Sequence, residues 1–268
     1  MKAILALLAL LISLPTAAAQ LTIELNHSRK TWQTADLLKH PQAQTVQIDD
    51  DVSYKRSMSY RAVPLAVLLP GLKPESHLQA VALDGFAAEL TAAPLLEQQG
   101  ARAWLAVEDP AQPWPALAQG KPSAGPFYLV WTDPQAGAIS PEQWPFQISG
   151  IKQLNTVAER FPALLPDPKL AANDPINQGF ALFQKNCLAC HRINGAGDAQ
   201  VGPDLNIPYN PTEYFGGDFL KRYIRDPQSL RRWPQAKMPA FAASVLPDGE
   251  LDLLVGYLKH MAGRKQQP

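Results

Sequence analysis

The sequence predicts a multidomain chain. An α+β domain with short mixed strands is expected over residues 20–160, and an all-α domain over 174–268. Three observations predict this. The length of 268 residues suits two domains of roughly 150 residues each. The segment 161–173 carries Pro162, Pro166 and Pro168, with Pro175 just beyond, and so reads as a stiff, extended connector. Apolar spacing also changes across that segment, from short alternating runs to helical stripes. The 26 prolines are about twice average usage, which favours short elements over a long bundle.

In the first part, Leu21 to Leu25 alternates as a half-buried strand does. Thr34 is placed to cap a short helix through Lys39, with Asp36 in its first turn. Val46 to Ile48 and Val52 to Tyr60 read as strands. Pro64 opens one helical turn, Leu65 to Leu69, ended by Pro70-Gly71. Leu78 to Leu83, Ala103 to Val107 and Phe127 to Trp131 are β-rich runs bounded by turn residues. Ala93 to Gln99 reads as a short helix closed by Gly100. Asp49-Asp50-Asp51 reads as a solvated acidic turn, because neighbours on a strand face opposite ways.

In the second part, Asp174 caps a helix with Pro175 at its first position. Leu251, Leu254, Val255 and Leu258 form one apolar stripe at i, i+3, i+4 and i+7. Asp248 and Glu250 start that helix, and Lys259, His260 and Arg264 end it, as the helix dipole favours. Asp226-Pro227 stops a preceding helix.

Charge narrows the function. Basic and acidic residues balance at 24 each, so the chain lacks the basic excess of a nucleic-acid binder. The first nineteen residues read as a secretory signal. Lys2 is positive, Ile4 to Leu14 is apolar, and Ala17-Ala18-Ala19 offers a cleavage site before Gln20. That run falls short of the roughly 20 residues a membrane span needs. The expected mature chain is exported to the periplasm, with no membrane span.

Both cysteines fall in Cys187-Leu188-Ala189-Cys190-His191. Cys-x-x-Cys-His is the attachment sequence of haem c. At helical spacing, positions i, i+3 and i+4 share one face. Two thiols can then bond two vinyl groups while the imidazole reaches the iron. A structural zinc site needs four ligands, and no second Cys/His pair is present. A redox dithiol does not require the following histidine. A disulfide here would close a two-residue loop and constrain little chain. The expected cofactor is one haem c, bound through Cys187 and Cys190 with His191 on the iron.

With Gly179, Phe180 and Phe183 ahead of the motif, and Leu251 to Leu258 at the end, residues 174–262 resemble the class I c-type cytochrome domain over its full length. The resemblance implies that first and last helices cross at a glycine, Gly179 or Gly256. Lys237-Met238-Pro239 resembles the family's ligand loop, which implies Met238 as second axial ligand. The alternatives are packing for Met238, or ligation by His260, His27, His40 or His77. Gly202-Pro203-Asp204-Leu205 resembles the family's Gly-Pro-x-Leu turn, where the Pro203 carbonyl accepts a hydrogen bond from His191 and raises its basicity. Tyr223, Arg225 and Trp233 are candidates to meet the haem propionates; packing, or for Arg225 a surface acid, is the alternative. Leu205, Ile207, Phe215, Phe219, Ile224 and Phe241 are candidate walls.

In the first part, Tyr60-Arg61-Ala62-Val63-Pro64-Leu65, Leu83-Asp84-Gly85-Phe86 and Gly125 to Val130 follow in an order that resembles the molybdopterin-binding domain of sulfite-oxidase-type enzymes. That family holds molybdenum through a cysteine thiolate, and residues 20–173 contain no cysteine. The resemblance therefore implies a non-catalytic domain, suited to docking a partner or shielding a haem edge.

The expected protein is a periplasmic monohaem electron carrier, not an enzyme, with periplasmic redox proteins as donor and acceptor. A haem-based ligand sensor and a haem subunit of a periplasmic oxidoreductase are the alternatives.

Overall fold

The computed structural model describes residues 19–199 and 201–266. The expected export segment lies outside these residues, apart from Ala19. No helix among them is long and apolar enough to cross a membrane.

Two sheets build the N-terminal domain. Strands β1 (Gln20–Leu25) and β2 (Ser28–Gln33) form a hairpin whose tip, Asn26 and His27, has φ of 48° and 64°. Positive φ at both tip residues matches the twist of the flanking strands. Helix α1 (Thr34–Leu38) begins one residue earlier than expected. Gln33 stands at the cap, and Thr34 instead donates its hydroxyl to the Ala19 carbonyl at 3.1 Å. Strands β3 (Gln44–Ile48) and β4 (Met58–Pro64) pair antiparallel. The strand expected from Val52 is a turn up to Ser57. Asp51 accepts backbone N–H bonds from Ser53 and Tyr54 at 2.9 and 2.8 Å, and this side-chain turn competes with strand geometry. Asp49 and Asp50 are solvated, but Asp51 is buried and accepts the Tyr60 hydroxyl at 2.7 Å.

Helix α2 (Leu65–Leu68) is followed by β5 (His77–Ala82), β6 (Ala87–Thr91) and α3 (Ala92–Leu96). Strands β7 (Arg102–Val107), β8 (Phe127–Thr132) and β9 (Ile148–Leu154) complete the sheets. One sheet runs β2-β1-β9-β5-β6, with β1 and β9 parallel, and the other runs β3-β4-β7-β8. Leu21, Ile23, Tyr60, Phe127, Tyr128 and Trp131 are buried in the core they enclose.

A second core begins before the proline-rich segment. Helix α4 (Val157–Arg160) contributes Val157, and a 3-10 turn over Pro162–Leu164 contributes Leu164. The segment is therefore not a free extended connector. Its apolar residues pack on the helical domain, and the Tyr257 hydroxyl donates to the Leu164 carbonyl at 2.7 Å.

Helix α5 (Pro175–Asn186) is capped by Asp174, which accepts the Ile176 N–H at 2.8 Å. Short helices α6 (Pro211–Tyr214), α7 (Phe219–Arg225) and α8 (Pro227–Leu230) lead to α9 (Asp248–Ala262). Helices α5 and α9 cross at Gly179, where a Cβ would stand 2.7 Å from the Cβ of Tyr257. At Gly256 a Cβ would meet only Ile176, at 3.7 Å. Gly179 is thus the glycine that the crossing requires.

The domains meet through charged and polar groups. Arg160 donates to Glu89 of β6 at 2.7 Å and to Asp198 of the helical domain at 2.6 Å. Gln79 of β5 donates to both carboxylates at 2.7 Å. Lys185 of α5 donates to the Ala138 carbonyl at 2.7 Å.

Candidate functional site

Helix α5 ends at Asn186, and the two cysteines lie in the tight turn that follows. The N–H groups of Cys190 and His191 both donate to the Cys187 carbonyl, at 3.0 and 2.9 Å. Helical spacing thus survives as a single turn rather than a regular helix. It brings Cys187, Cys190 and His191 to the wall of one cavity of about 490 Å³. The two cysteines are not joined in a disulfide. Burial pushes the Cys190 thiol up to about 11 and that of Cys187 higher still.

The Nδ1 of His191 lies 2.9 Å from the Pro203 carbonyl oxygen. A carbonyl only accepts, so Nδ1 carries the proton and Nε2 keeps a lone pair. Burial lowers the imidazole's pKa, which favours this neutral form. Gly202 makes the approach possible. A Cβ there would lie 2.6 Å from Nδ1 of His191 and 2.9 Å from the Cys190 carbonyl oxygen.

Met238 is half-buried and also lines the cavity. Met58 is buried in β4, and Met261 is buried in α9. His77 contacts Glu89, His260 accepts the Asp167 N–H, and His40 accepts the Gln42 N–H. Among the described residues that line the cavity, His191 and Met238 are the histidine and methionine present.

Tyr223 and Trp233 are also in the lining, with Trp233 at its exposed rim. Arg225 is not. Its guanidinium donates to the Phe241 and Leu246 carbonyls at 2.9 and 2.5 Å and to Asp248 at 2.6 Å, tying α7 to the start of α9. Of the expected walls, Leu205, Phe215, Ile224 and Phe241 line the cavity. Ile207 and Phe219 do not; Phe219 stacks on the outside of Phe215 with ring centres 5.2 Å apart.

Among the lining residues that the sequence does not mark, two carry a buried polar atom without a partner. Asn186 precedes Cys187 directly, and its buried Oδ1 has no hydrogen-bond partner. Glu142 comes from the N-terminal domain, and its Oε2 is likewise buried without a partner. Adjacency to the motif could have flagged Asn186. Nothing local marks Glu142, which reaches the cavity only through the docking of the two domains.

These donors fit a covalent haem. The cavity holds two thiols, a neutral imidazole and a thioether among apolar walls, and its orphaned polar atoms await a partner. Among the described residues, no group of three or more His, Cys, Asp or Glu side chains could hold a metal ion by itself.

A helical domain of this build, with a Cys-x-x-Cys-His turn facing an apolar cavity, defines the class of c-type haem domains. The family model for Cytochrome c matches residues 176–262, so the C-terminal domain is a cytochrome c domain, which implies covalently bound haem c and haem-based electron transfer. No curated protein matches the chain. Among solved structures, the chain is similar to the sulfane dehydrogenase SoxCD from Paracoccus pantotrophus, at 18% identity and a TM-score of 0.35. That likeness covers 52% of this chain and 38% of the SoxCD chain.

Proposed function

We propose that the protein is a periplasmic monohaem electron carrier, exported by a signal segment cleaved after Ala19, with haem c attached through Cys187 and Cys190. One observation carries this reading: Cys187, Cys190, His191 and Met238 converge on one apolar cavity. Bound there, the group supplies one-electron exchange between ferrous and ferric iron. Cys187 and Cys190 anchor it by thioether bonds. His191 offers Nε2, with its ring fixed by the Pro203 carbonyl, and so becomes a stronger donor. Met238 offers a soft, neutral sulfur, and Pro239 stiffens the loop that holds it. Met/His ligation raises the reduction potential. The walls keep water from the site and disfavour the extra positive charge of the oxidised state. The roles of Pro203, Tyr223, Trp233 and Met238 belong to this proposal, as does a partner-docking role for residues 20–160. Redox proteins of the periplasm are the proposed donor and acceptor.

The visible spectrum of the purified full-length protein, with and without carbon monoxide, tests the reading. A low-spin haem that stays with the denatured chain and ignores carbon monoxide is expected. Ready binding of carbon monoxide would instead make the site a ligand sensor.

A further inference from the structure

The N-terminal domain does more than cover the helical one: it places a carboxyl group in the wall of the redox cavity. Glu142 sits in a 3-10 turn over Pro141–Gln143, closed by a capping box in which Ser140 and Gln143 exchange bonds. That box fixes the turn, and the interdomain contacts of Arg160 and Lys185 fix the turn against the helical domain. Glu142 is half-buried overall, but its Oε2 is sealed from solvent and unpartnered. It lines the same cavity as Cys187, Cys190, His191 and Met238.

We propose that Glu142 is the proton-exchanging group of this electron-transfer site, taking one proton from solvent when the site gains one electron and releasing it when the electron leaves. The proposal rests on the haem c reading above. The electron comes from a one-electron donor and the proton from bulk water, so the net charge within the cavity is unchanged in either direction.

The physical reason is the cost of charge in an apolar enclosure. An oxidised site carries one more positive charge, and a carboxylate beside it offsets that charge. After reduction, the same carboxylate is left desolvated with its offset gone, and protonation removes the cost. Burial already pushes Glu142 up to about 7, against the pull of its own backbone N–H and of Lys55. Cys187 and Cys190 also lie near it, and as haem thioethers they would carry no charge. Asp84 and Lys237 face Cys190 and act with opposite sign. Lys185 is held by the Ala138 carbonyl, and Glu89, on the neighbouring strand β6, is held by Arg160 and His77. His191 in the same wall is neutral. None of these groups gives Oε2 a hydrogen bond.

The test is a redox titration of the full-length haem-loaded protein, read from its visible spectrum across a pH series bracketing 7. In the unmodified protein the midpoint potential is expected to fall as pH rises through that window. In Glu142→Gln the slope is expected to be lost, with a potential above that of the unmodified protein at the alkaline end. Glu142→Asp is expected to keep the slope. An unchanged slope in Glu142→Gln, with an intact c-type spectrum, overturns the proposal. A second measurement needs no variant. The infrared difference spectrum of the unmodified protein at pH 7 is expected to gain a protonated carboxyl band on reduction, and its absence also overturns the proposal. A purified chain without covalent haem would overturn the electron-transfer reading itself, and this proposal with it.

Discussion

The Pro203 carbonyl can only accept a hydrogen bond, so the Nδ1 of His191, 2.9 Å away, determines the tautomer of the whole ring. That bond exists because Gly202 carries no side chain where the ring lies. Gly202→Ala is expected to displace the ring, because the added methyl group meets His191 on one side and the Cys190 carbonyl on the other. Overpacking of this kind costs about 1–3 kcal/mol. The variant should show a lower melting temperature and a smaller low-spin fraction in its visible spectrum. An unchanged spectrum together with an unchanged melting temperature would sink the claim that Gly202 holds the ring in place. At this scale much of the site was legible in the sequence. Cys187, Cys190 and His191 are bound by local spacing, and Pro203 follows within one loop. Arg225 takes the alternative its sequence left open, a surface acid, because its acceptors, the Phe241 and Leu246 carbonyls and Asp248, arrive from distant chain. Glu142 was missed for the same reason in stronger form: the fold of another domain carries it to the cavity.

Helices and strands differed in how plainly their sequences announced them. The stripe of Leu251, Leu254 and Leu258 predicts α9, and those side chains are buried where it says they should be. Strand β2 was invisible because Ser28 to Lys30 are polar and exposed on both faces, so no alternation marks it. Strand β9 holds Gly150 and polar residues at Lys152 and Gln153, and it exists because β1 and β5 flank it. The 52–57 segment shows the reverse error, where a β-branched start is overruled by the Asp51 side-chain turn. The α5–α9 crossing yields a paired prediction. At Gly179, alanine gains helix propensity but drives its methyl group into Tyr257 and the Leu253 backbone, so a net loss of about 1–3 kcal/mol is expected. At Gly256 the new methyl makes an ordinary contact with Ile176 at 3.7 Å. Propensity then dominates, and a gain of up to about 1 kcal/mol is expected. Denaturant unfolding of both variants checks the pair. Equal effects at the two positions would refute the assignment of the crossing to Gly179.

The two domains act as one body because Arg160 sits between carboxylates from each of them. Glu89 belongs to the sheet and Asp198 to the helical domain, and the side chains of Arg160 and Glu89 are 15% and 4% exposed. Breaking so buried a pair by removing one partner costs about 3–5 kcal/mol, since the other charge is left unpaired. Much of that loss should fall on domain docking, because neither core passes through this contact. The pH dependence follows from Glu89. Burial alone would raise its pKa, but the hydrogen bonds from His77 and Arg160 outweigh it and hold the carboxyl below the usual 4.5. A folded-state pKa below the unfolded one means the contribution is complete above about 4.5 and is lost as pH falls through the depressed value. Acidification through that range is therefore expected to loosen the domains before the cytochrome core melts. Hydrogen exchange of β5, β6 and the loop around Asp198 should rise first. Arg160→Ala should show the same loosening at neutral pH and little further change on acidification within that window. If Arg160→Ala keeps full protection of these segments at neutral pH, the latch is not what joins the domains. The same variant bears on the redox site, because Glu142 keeps its place in the cavity wall only while the domains stay docked.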